Sequence, residues 1–415
     1  MKPVAFLCVL AATACFAAGL SPCGMTEPVP SAMRPLPPGA LRLHGVVDDA
    51  IRRSVKNWTL GKVPYREFAG FFRKGRPQFA LGEMWGKFVR AAALQYRYTG
   101  DERIRAVVED AVRDVLSAER ENGSISCDPP DAQPGVRGGD LWERKYVMLG
   151  LERYLENVRD DKSAMASLVR QADCIISQIG ESPKTDIRSL GWSANHIESS
   201  TLLEPFVNLY AMTGESRFLR FARSVVDSGG ALGCNLVRQA CDNVSPHEMG
   251  GVYPKAYEML SFFEGLIEYY RFTGDERVRC ACLNLFSNIL TNELTIVGNG
   301  GGDQPYHPKV MGEAWDRTAF EQTNPAMKRM METCVGVTWL KFCGRILALT
   351  GDVRAADAME RYIYNGLLGA MTPEGDGFSY VNLLNGRKTT NEGWGWDFPS
   401  CRVTCCNLNG PIGLA

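Results

Sequence analysis

The segment LSFFEGLIEYYRFTGDERVRCACLNLFSNI, residues 260–289, decides the fold class. Apolar residues recur at helical spacing on both sides of its Thr273-Gly274-Asp275 turn. They are Leu260, Phe263, Ile267 and Tyr270 before the turn and Val278, Cys282, Leu285 and Ile289 after it. Glycine can take the left-handed conformation that ends one helix, and aspartate can cap the start of the next. The segment therefore predicts two amphipathic helices that form an antiparallel hairpin.

The turn phrase recurs three more times, at Thr99-Gly100-Asp101, Thr213-Gly214-Glu215 and Thr350-Gly351-Asp352. Its spacing is uneven, which excludes a tight solenoid repeat. Long loops rich in glycine and aromatic residues, 298–315 and 375–405, suit a ligand pocket. We therefore predict an all-α toroid of helical hairpins, an α/α barrel whose inner helices converge on an axial pocket. The alternative is an open helical solenoid that binds proteins.

The charge balance narrows the class of ligand. The chain has 46 basic and 47 acidic residues, a formal net charge of -1, and no basic block. Proteins that bind nucleic acid or anionic membranes carry a basic patch. The composition therefore favours a neutral substrate.

The N-terminus has the pattern of a signal peptide, because Met1-Lys2 precedes a short apolar stretch followed by small residues. Cys15 follows small residues and would also allow a lipid anchor. We predict an exported protein, periplasmic or extracellular, with no membrane-spanning segment. The predicted divisions are a signal peptide at 1–20, an extended proline-rich leader at 21–40 and one helical domain at 41–415.

The fourteen cysteines follow no regular spacing, and most are predicted to be buried thiols. A Cys234–Cys241 disulfide is conceivable. Glu332-Thr333-Cys334 and the adjacent pair Cys405-Cys406 together offer one carboxylate and three thiols. Such a set can fill a tetrahedral zinc site without histidine. Spacing alone leaves unrelated buried thiols or a disulfide as alternatives.

Four motifs resemble glycoside hydrolase family 127, the β-L-arabinofuranosidases, in order and spacing. They are ETC at 332–334, LTGD at 349–352, ADAMERYIYNGLL at 356–368 and CCNLNG at 405–410. The resemblance implies an (α/α)6 barrel followed by β domains. It also implies that Glu332, Cys334, Cys405 and Cys406 bind zinc. By the same resemblance Cys405 is the nucleophile and Glu313 the general acid/base, acting on a glycan.

Six further residues are predicted to contact the sugar. The resemblance places His196 and His247 near pocket histidines and Tyr380 in a segment that lines the pocket. Trp315 and Trp394 lie on the loops that carry the chemical residues and offer faces for stacking. Arg144 stands where many family members have the histidine of a His-Lys pair, so it bears on which sugar is bound.

The chain departs from the family at Met311-Gly312-Glu313, where members often have His-Gly-Glu. It ends at Ala415, so we expect the last part of the barrel and the β domains to be missing. The predicted function is a retaining, zinc-dependent hydrolase that releases terminal β-L-arabinofuranose or a related sugar from plant glycans. The alternatives are a noncatalytic carbohydrate-binding or scaffold barrel with a structural zinc, and a lyase or epimerase on the same barrel.

Overall fold

A computed structural model describes residues 28–74, 81–135, 139–251, 253–302, 313–320, 322, 331–384, 388 and 395–415. The α-helices are α1 (Val46–Ser54), α2 (Tyr65–Lys74), α3 (Leu81–Thr99), α4 (Glu102–Leu116), α5 (Gly139–Asn157), α6 (Lys162–Gln178), α7 (Ile197–Ser200), α8 (Leu203–Thr213), α9 (Ser216–Asp227), α10 (Leu236–Cys241), α11 (Ala256–Thr273), α12 (Glu276–Asn292), α13 (Thr333–Thr350), α14 (Val353–Arg361), α15 (Leu368–Ala370) and α16 (Cys405–Leu414). The strands pair as two antiparallel ribbons, β1 (Gly230–Ala231) with β2 (Cys234–Asn235) and β3 (Gly395–Asp397) with β4 (Arg402–Thr404). π-Helical turns extend α1 over Val55–Thr59 and α14 over Tyr362–Leu367.

Six helices form a closed inner ring in the order α3, α5, α8, α11, α13 and α16, and α16 packs back against α3. The outer helices α4, α6, α9, α12 and α14 each follow an inner helix and pack against it, and α1 packs against α16. The α/α-barrel prediction is confirmed. The expectation that further elements belong after Ala415 remains an expectation.

Burial separates the two layers. The outer helix α12 buries one apolar stripe, as an amphipathic surface helix does, whereas the inner helix α11 is buried on almost every side. Within the described part of the chain, α13 is the one helix long and apolar enough to cross a membrane. Most of it is buried in the ring, and a core helix passes the same test.

The repeated turn has the conformation that the sequence predicts. Gly100, Gly214, Gly274 and Gly351 all have φ between 65° and 71°. At three of the copies the following aspartate caps the next helix, as Asp275 does by accepting a hydrogen bond of 3.0 Å from the backbone N–H of Arg277. Glu215 makes no such side-chain cap. The glycine therefore reverses the chain at all four turns, and at three of them an aspartate also caps the helix that follows.

Gly86 marks a close approach of α3 and α5, and it supports a prediction. A Cβ at this position would lie 2.0 Å from the carbonyl oxygen of Tyr146. Replacing Gly86 with alanine should lower the free energy of unfolding by about 1–3 kcal/mol, because the backbones must move apart. Gly70 in α2 is the matched control, since nothing lies within 4 Å of its added Cβ. Gly70→Ala should raise stability by about 0.5–1 kcal/mol. Urea unfolding compares the two, and equal effects would contradict the close approach.

The described part of the proline-rich segment, residues 28–45, contains no helix or strand, but it is already part of the fold. The backbone N–H of Val29 donates to the carbonyl of Arg271 at 2.6 Å, and that of Met33 donates to Ala348 at 2.9 Å. Both carbonyls lie in the last turns of inner helices, where helical partners are missing. The sequence predicted that the helical domain begins at residue 41. The packed structure begins earlier, because Val29 and Met33 hydrogen-bond to the ends of these helices.

Candidate active site

The four predicted metal ligands meet at the N-terminal ends of two neighbouring inner helices. Glu332 precedes α13 and Cys334 lies in its first turn, while Cys405 and Cys406 open α16. Thr404 caps α16, because its Oγ1 accepts a hydrogen bond of 3.0 Å from the backbone N–H of Asn407. The positive end of a helix dipole favours anions, so Cys334 at the start of α13 and Cys405 and Cys406 at the start of α16 are suited to carry thiolates.

The separations match a tetrahedral site. The Sγ atoms of Cys334 and Cys406 are 3.4 Å apart, and those of Cys405 and Cys406 are 4.0 Å apart. Glu332 Oε1 is 3.9 Å from the Cys405 sulfur and 3.7 Å from the Cys406 sulfur. All four ligand atoms lie within 4.8 Å of one another. With Zn–S bonds of ~2.3 Å, tetrahedral ligands are roughly 3.8 Å apart.

The chemistry of the donor set also fits a cation. Every cysteine in the described part of the chain is a free thiol, including Cys234 and Cys241, so neither that pair nor Cys405-Cys406 forms a disulfide. Glu332 Oε2 is buried and has no hydrogen-bond partner among the described residues. Burial raises the pKa of Glu332 well above its usual range. A divalent ion would supply the positive charge that this buried carboxylate and its thiols lack.

Cys405 differs from the other two sulfurs. Burial raises the pKa of its thiol, but hydrogen bonds from Cys334 and Cys406, the charge of Lys87 and the neighbouring Tyr380 hydroxyl together hold that pKa well below its ordinary value. The side chain of Cys405 is 6% exposed, whereas Cys334 and Cys406 are fully buried. Cys405 is therefore the sulfur best placed to be both ionised and accessible.

Glu313 lies beside the cluster on a short extended segment. The carbonyl of Glu313 accepts a hydrogen bond of 2.8 Å from the N–H of Ala256, and its φ of 69° turns it out of the extended conformation. One carboxylate oxygen is 2.6 Å from Lys255 Nζ, and the other accepts a hydrogen bond from the Tyr380 hydroxyl. Tyr380 also contacts Cys405. A single hydroxyl therefore connects the Glu313 carboxylate with the Cys405 sulfur.

Lys255 joins Glu313 to a second buried carboxylate, since its Nζ is 3.0 Å from Glu258 Oε1. Burial raises the pKa of Glu258 to about 8; the Lys255 ammonium opposes this shift, while Glu198 and Glu313 add to it. The native state therefore keeps this proton at pH values where the unfolded chain, with an ordinary pKa of 4.5, has released it.

This shift predicts a pH dependence of stability. The contribution of Glu258 is fully present below about pH 4.5 and is lost as the pH rises toward about 8, with a slope of at most ~1.4 kcal/mol per pH unit. Glu258→Gln should remove that slope, so the variant gains stability relative to the wild type as the pH increases. Urea unfolding of both proteins at about pH 5 and about pH 7.5 measures it. An unchanged difference between the proteins at the two pH values would refute the shift.

The two histidines predicted to contact the sugar form no hydrogen bond or ion pair with the cysteine cluster among the described residues. His196 precedes α7 with φ 54°, and its Nδ1 is buried without a hydrogen-bond partner among the described residues. His247 Nδ1 lies 2.9 Å from Ser245 Oγ and 3.7 Å from Glu293. These neighbours of His247 are outside the cysteine cluster. The sugar contacts of His196 and His247 therefore both stay predictions.

The predicted sugar contacts of Trp315 and Arg144 also stay predictions. Trp315 is 1% exposed and packs in the core, which leaves no open ring face for a sugar in this structure. Arg144 is fully buried and bonds Gln178 at 2.7 Å and Asp140 at 3.3 Å. Both roles stay predictions without a contact to the cluster on the described residues. Trp394 lies outside the described residues.

Three polar residues of the site were missed by sequence analysis. Lys87 Nζ is 3.4 Å from the Cys334 sulfur and 2.5 Å from Glu83, and Lys255 contacts Glu313. All three lie near the N-terminal ends of the inner helices α3 and α11. Charged residues at core positions of a helix are a usable signal, but one sequence does not show which helices face the axis.

A comparison with known protein families shows which family the chain belongs to. The sequence model of the family described as "Beta-L-arabinofuranosidase, GH127 catalytic domain" matches residues 47–412. The chain belongs to this family. The match extends from α1 to the last turn of α16 and includes every residue of the site. The resemblance seen in the sequence is thereby confirmed.

Individual relatives of the GH127 domain are distant in sequence. It is 21% identical over 338 residues to the non-reducing end β-L-arabinofuranosidase of Bifidobacterium longum subsp. longum, an alignment that covers 74% of this chain and 48% of the relative. The chain therefore spans about half the length of that curated relative.

Solved structures share the fold. A GH127 β-arabinofuranosidase aligns with a TM-score of 0.68 and 16% identity over 94% of this chain and 61% of its own. Ara127N-Se, a GH127 β-L-arabinofuranosidase from Geobacillus stearothermophilus T6, aligns with a TM-score of 0.66 and 18% identity over 88% and 62%. Cellobiose 2-epimerase from Bacillus thermoamylovorans B4167 has the same barrel, with a TM-score of 0.55 and 11% identity over 89% and 97%. The fold thus supports more than one reaction, and the site must distinguish them.

Proposed function

We propose that this GH127 domain is a retaining glycoside hydrolase that releases terminal β-L-arabinofuranose or a related sugar from plant glycans. Family membership and the names of its relatives support the reaction class and the sugar. The signal-peptide pattern at the N-terminus supports action outside the cytoplasm, in the periplasm or beyond it, with a lipid anchor as one form of export. The balanced charge of the chain suits a neutral glycan.

One observation carries the catalytic assignment, namely the Tyr380 hydroxyl that contacts both Glu313 and Cys405. Retention requires a nucleophile and a proton donor about 5–5.5 Å apart on either side of the scissile bond. Contact with one shared hydroxyl supports a short separation of Glu313 and Cys405, which favours retention over inversion, where the two groups are about 6.5–9.5 Å apart.

The donor set suits zinc, which Glu332, Cys334, Cys405 and Cys406 would hold. Bound zinc supplies the charge that keeps the cysteine sulfurs ionised at neutral pH. In the first step the Cys405 sulfur attacks the anomeric carbon and the glycosidic C–O bond breaks. Glu313 gives its proton to the departing oxygen.

In the second step Glu313, now a carboxylate, takes a proton from a water molecule, and the water oxygen attacks the anomeric carbon. The C–S bond to Cys405 breaks, which returns the thiolate and leaves the acid/base protonated for the next cycle. Lys255 and Tyr380 each hold one oxygen of Glu313 and so fix the direction in which the carboxyl group faces.

Zinc analysis of the purified chain combined with a panel of aryl furanosides tests the proposal. We expect close to one equivalent of zinc and hydrolysis of the β-L-arabinofuranoside with a saturated sugar as product. An unsaturated product would indicate a lyase, and an isomerised sugar an epimerase. Zinc without turnover of any glycoside would instead support the noncatalytic, carbohydrate-binding barrel with a structural metal.

A further inference from the structure

We propose that Lys87 is a positioning residue of the metal centre, which holds Cys334 as a fixed ligand and offsets part of the ligand charge. Its Nζ is 3.4 Å from the Cys334 sulfur, a distance at which an ammonium donates a hydrogen bond to a thiolate. The inference rests on the proposed zinc site, since it concerns how this chain supports that ion.

The charge of the ligand set is the first reason. One carboxylate and three thiolates bring four negative charges to one divalent ion, so two remain uncompensated in a buried site. Among the described residues, Lys87 is the cation in contact with a ligand sulfur, and its side chain is 0% exposed. Without water around it, its attraction to Cys334 is screened far less than on a surface.

The packing of Lys87 is the second reason, because its ammonium is held from three sides. Glu83 Oε1 lies 2.5 Å from Nζ, and Glu83 is itself fixed by a hydrogen bond of 2.8 Å from Trp142 Nε1. The Tyr257 ring centroid is 4.6 Å from Nζ and that of Tyr146 is 5.4 Å away. The ammonium therefore has one fixed position, which points a donor at Cys334.

This contact distinguishes the three sulfurs. Cys334 receives a cationic donor, which lowers the electron density on its sulfur and keeps it as a ligand. Cys405 is instead contacted by the neutral Tyr380 hydroxyl and is the most exposed of the three. Lys87 thus helps to make Cys405, rather than Cys334, the sulfur that is free to react.

The test is metal binding and spectroscopy of the Lys87→Met/Glu83→Gln double variant, which avoids leaving an unpaired buried carboxylate. We expect its zinc affinity, measured by chelator competition, to fall about 10- to 100-fold. In the cobalt-substituted protein the thiolate-to-metal absorption should move to longer wavelength, because the Cys334 sulfur loses a stabilising hydrogen bond. Lys341→Met is the matched control, since Lys341 contacts Glu264 at 2.8 Å on the same ring. It should change neither quantity.

A second variant keeps the proposal testable if the double variant does not fold. Glu83→Gln alone leaves Lys87 with a stronger bond to Cys334, so the cobalt band should move to shorter wavelength. Unchanged zinc affinity in a folded double variant, or no band shift in Glu83→Gln, would overturn the role of Lys87. Hydrolysis of the aryl β-L-arabinofuranoside by the wild type is measured separately. A wild type that binds zinc but hydrolyses nothing would defeat the proposed activity and leave the metal-binding result to decide on Lys87.

Discussion

Cys405→Ser should lower kcat/KM for an aryl β-L-arabinofuranoside by roughly 10⁴-fold or more, the largest effect expected of any single substitution in this chain. The serine hydroxyl keeps nearly the same shape but is far less acidic than a thiol, so it supplies little anionic nucleophile. Steady-state kinetics on the purified variant measure the loss, and mass spectrometry of the wild type with a slow substrate should find a sugar adduct on Cys405.

Serine substitutions at two other cysteines provide comparisons: Cys334 is a predicted zinc ligand, and Cys401 has no predicted role in the site. Cys401 lies between β3 and β4, and its sulfur contacts the Lys62 carbonyl at 3.5 Å, so Cys401→Ser should leave zinc content and kcat/KM unchanged. Cys334→Ser should lose metal together with activity, because it removes a zinc ligand. Cys405→Ser also removes a ligand, so the sugar adduct, expected on Cys405 and not on Cys334, identifies the nucleophile. Near-normal hydrolysis by Cys405→Ser would assign the attack to another group.

Glu313→Gln is expected to reduce kcat/KM by about 10²- to 10⁴-fold while leaving the zinc content unchanged. The amide has the size of the carboxyl group and can still accept a hydrogen bond from Lys255, but it has no acidic proton to give and cannot act as a base. Kinetics across leaving groups provide the measurement.

The two steps should respond differently to this variant. A nitrophenolate leaves without protonation, so the first step survives and the second becomes slow. The sugar adduct on Cys405 should then accumulate, and added azide should release it as a glycosyl azide. Glu276→Gln on the outer helix α12 is the matched control and should behave as wild type, because its carboxylate is 68% exposed. Equal losses for all leaving groups, with no adduct, would contradict the acid/base role.

Local sequence was sufficient for the helical hairpins. Three Thr-Gly-Asp phrases and one Thr-Gly-Glu phrase predicted four reversals, and each one has its glycine at positive φ, because the conformation depends only on the residues of the turn itself. The amphipathic stripe of α12 likewise predicted that one face of this helix packs on the core and the other faces solvent. Neither signal says how many hairpins close a ring, and the number six came from the family resemblance.

The metal ligands were found by residue type and by resemblance rather than by spacing. Glu332, Cys334, Cys405 and Cys406 come from two chain segments with 70 residues between Cys334 and Cys405. Spacing alone slightly favours unrelated buried thiols or a disulfide over a metal site. The structure brings the four atoms within 4.8 Å because α16 packs between α13 and α3. Trp315 shows the opposite case, since its position on a chemical loop predicted an exposed ring and the structure buries it.

By itself the sequence determined what depends on neighbours along the chain: helix ends, turn conformations, the apolar faces and the inventory of groups able to hold a metal. Only the tertiary structure decided which side chains meet, and it drew Glu83, Lys87 and Lys255 into the site. The reason is physical. Glu83 and Glu258 compensate the two buried lysines from the same stretch of helix. The Cys334 sulfur and the Glu313 carboxylate come from distant parts of the chain, and only the packing of the ring brings them to Lys87 and Lys255.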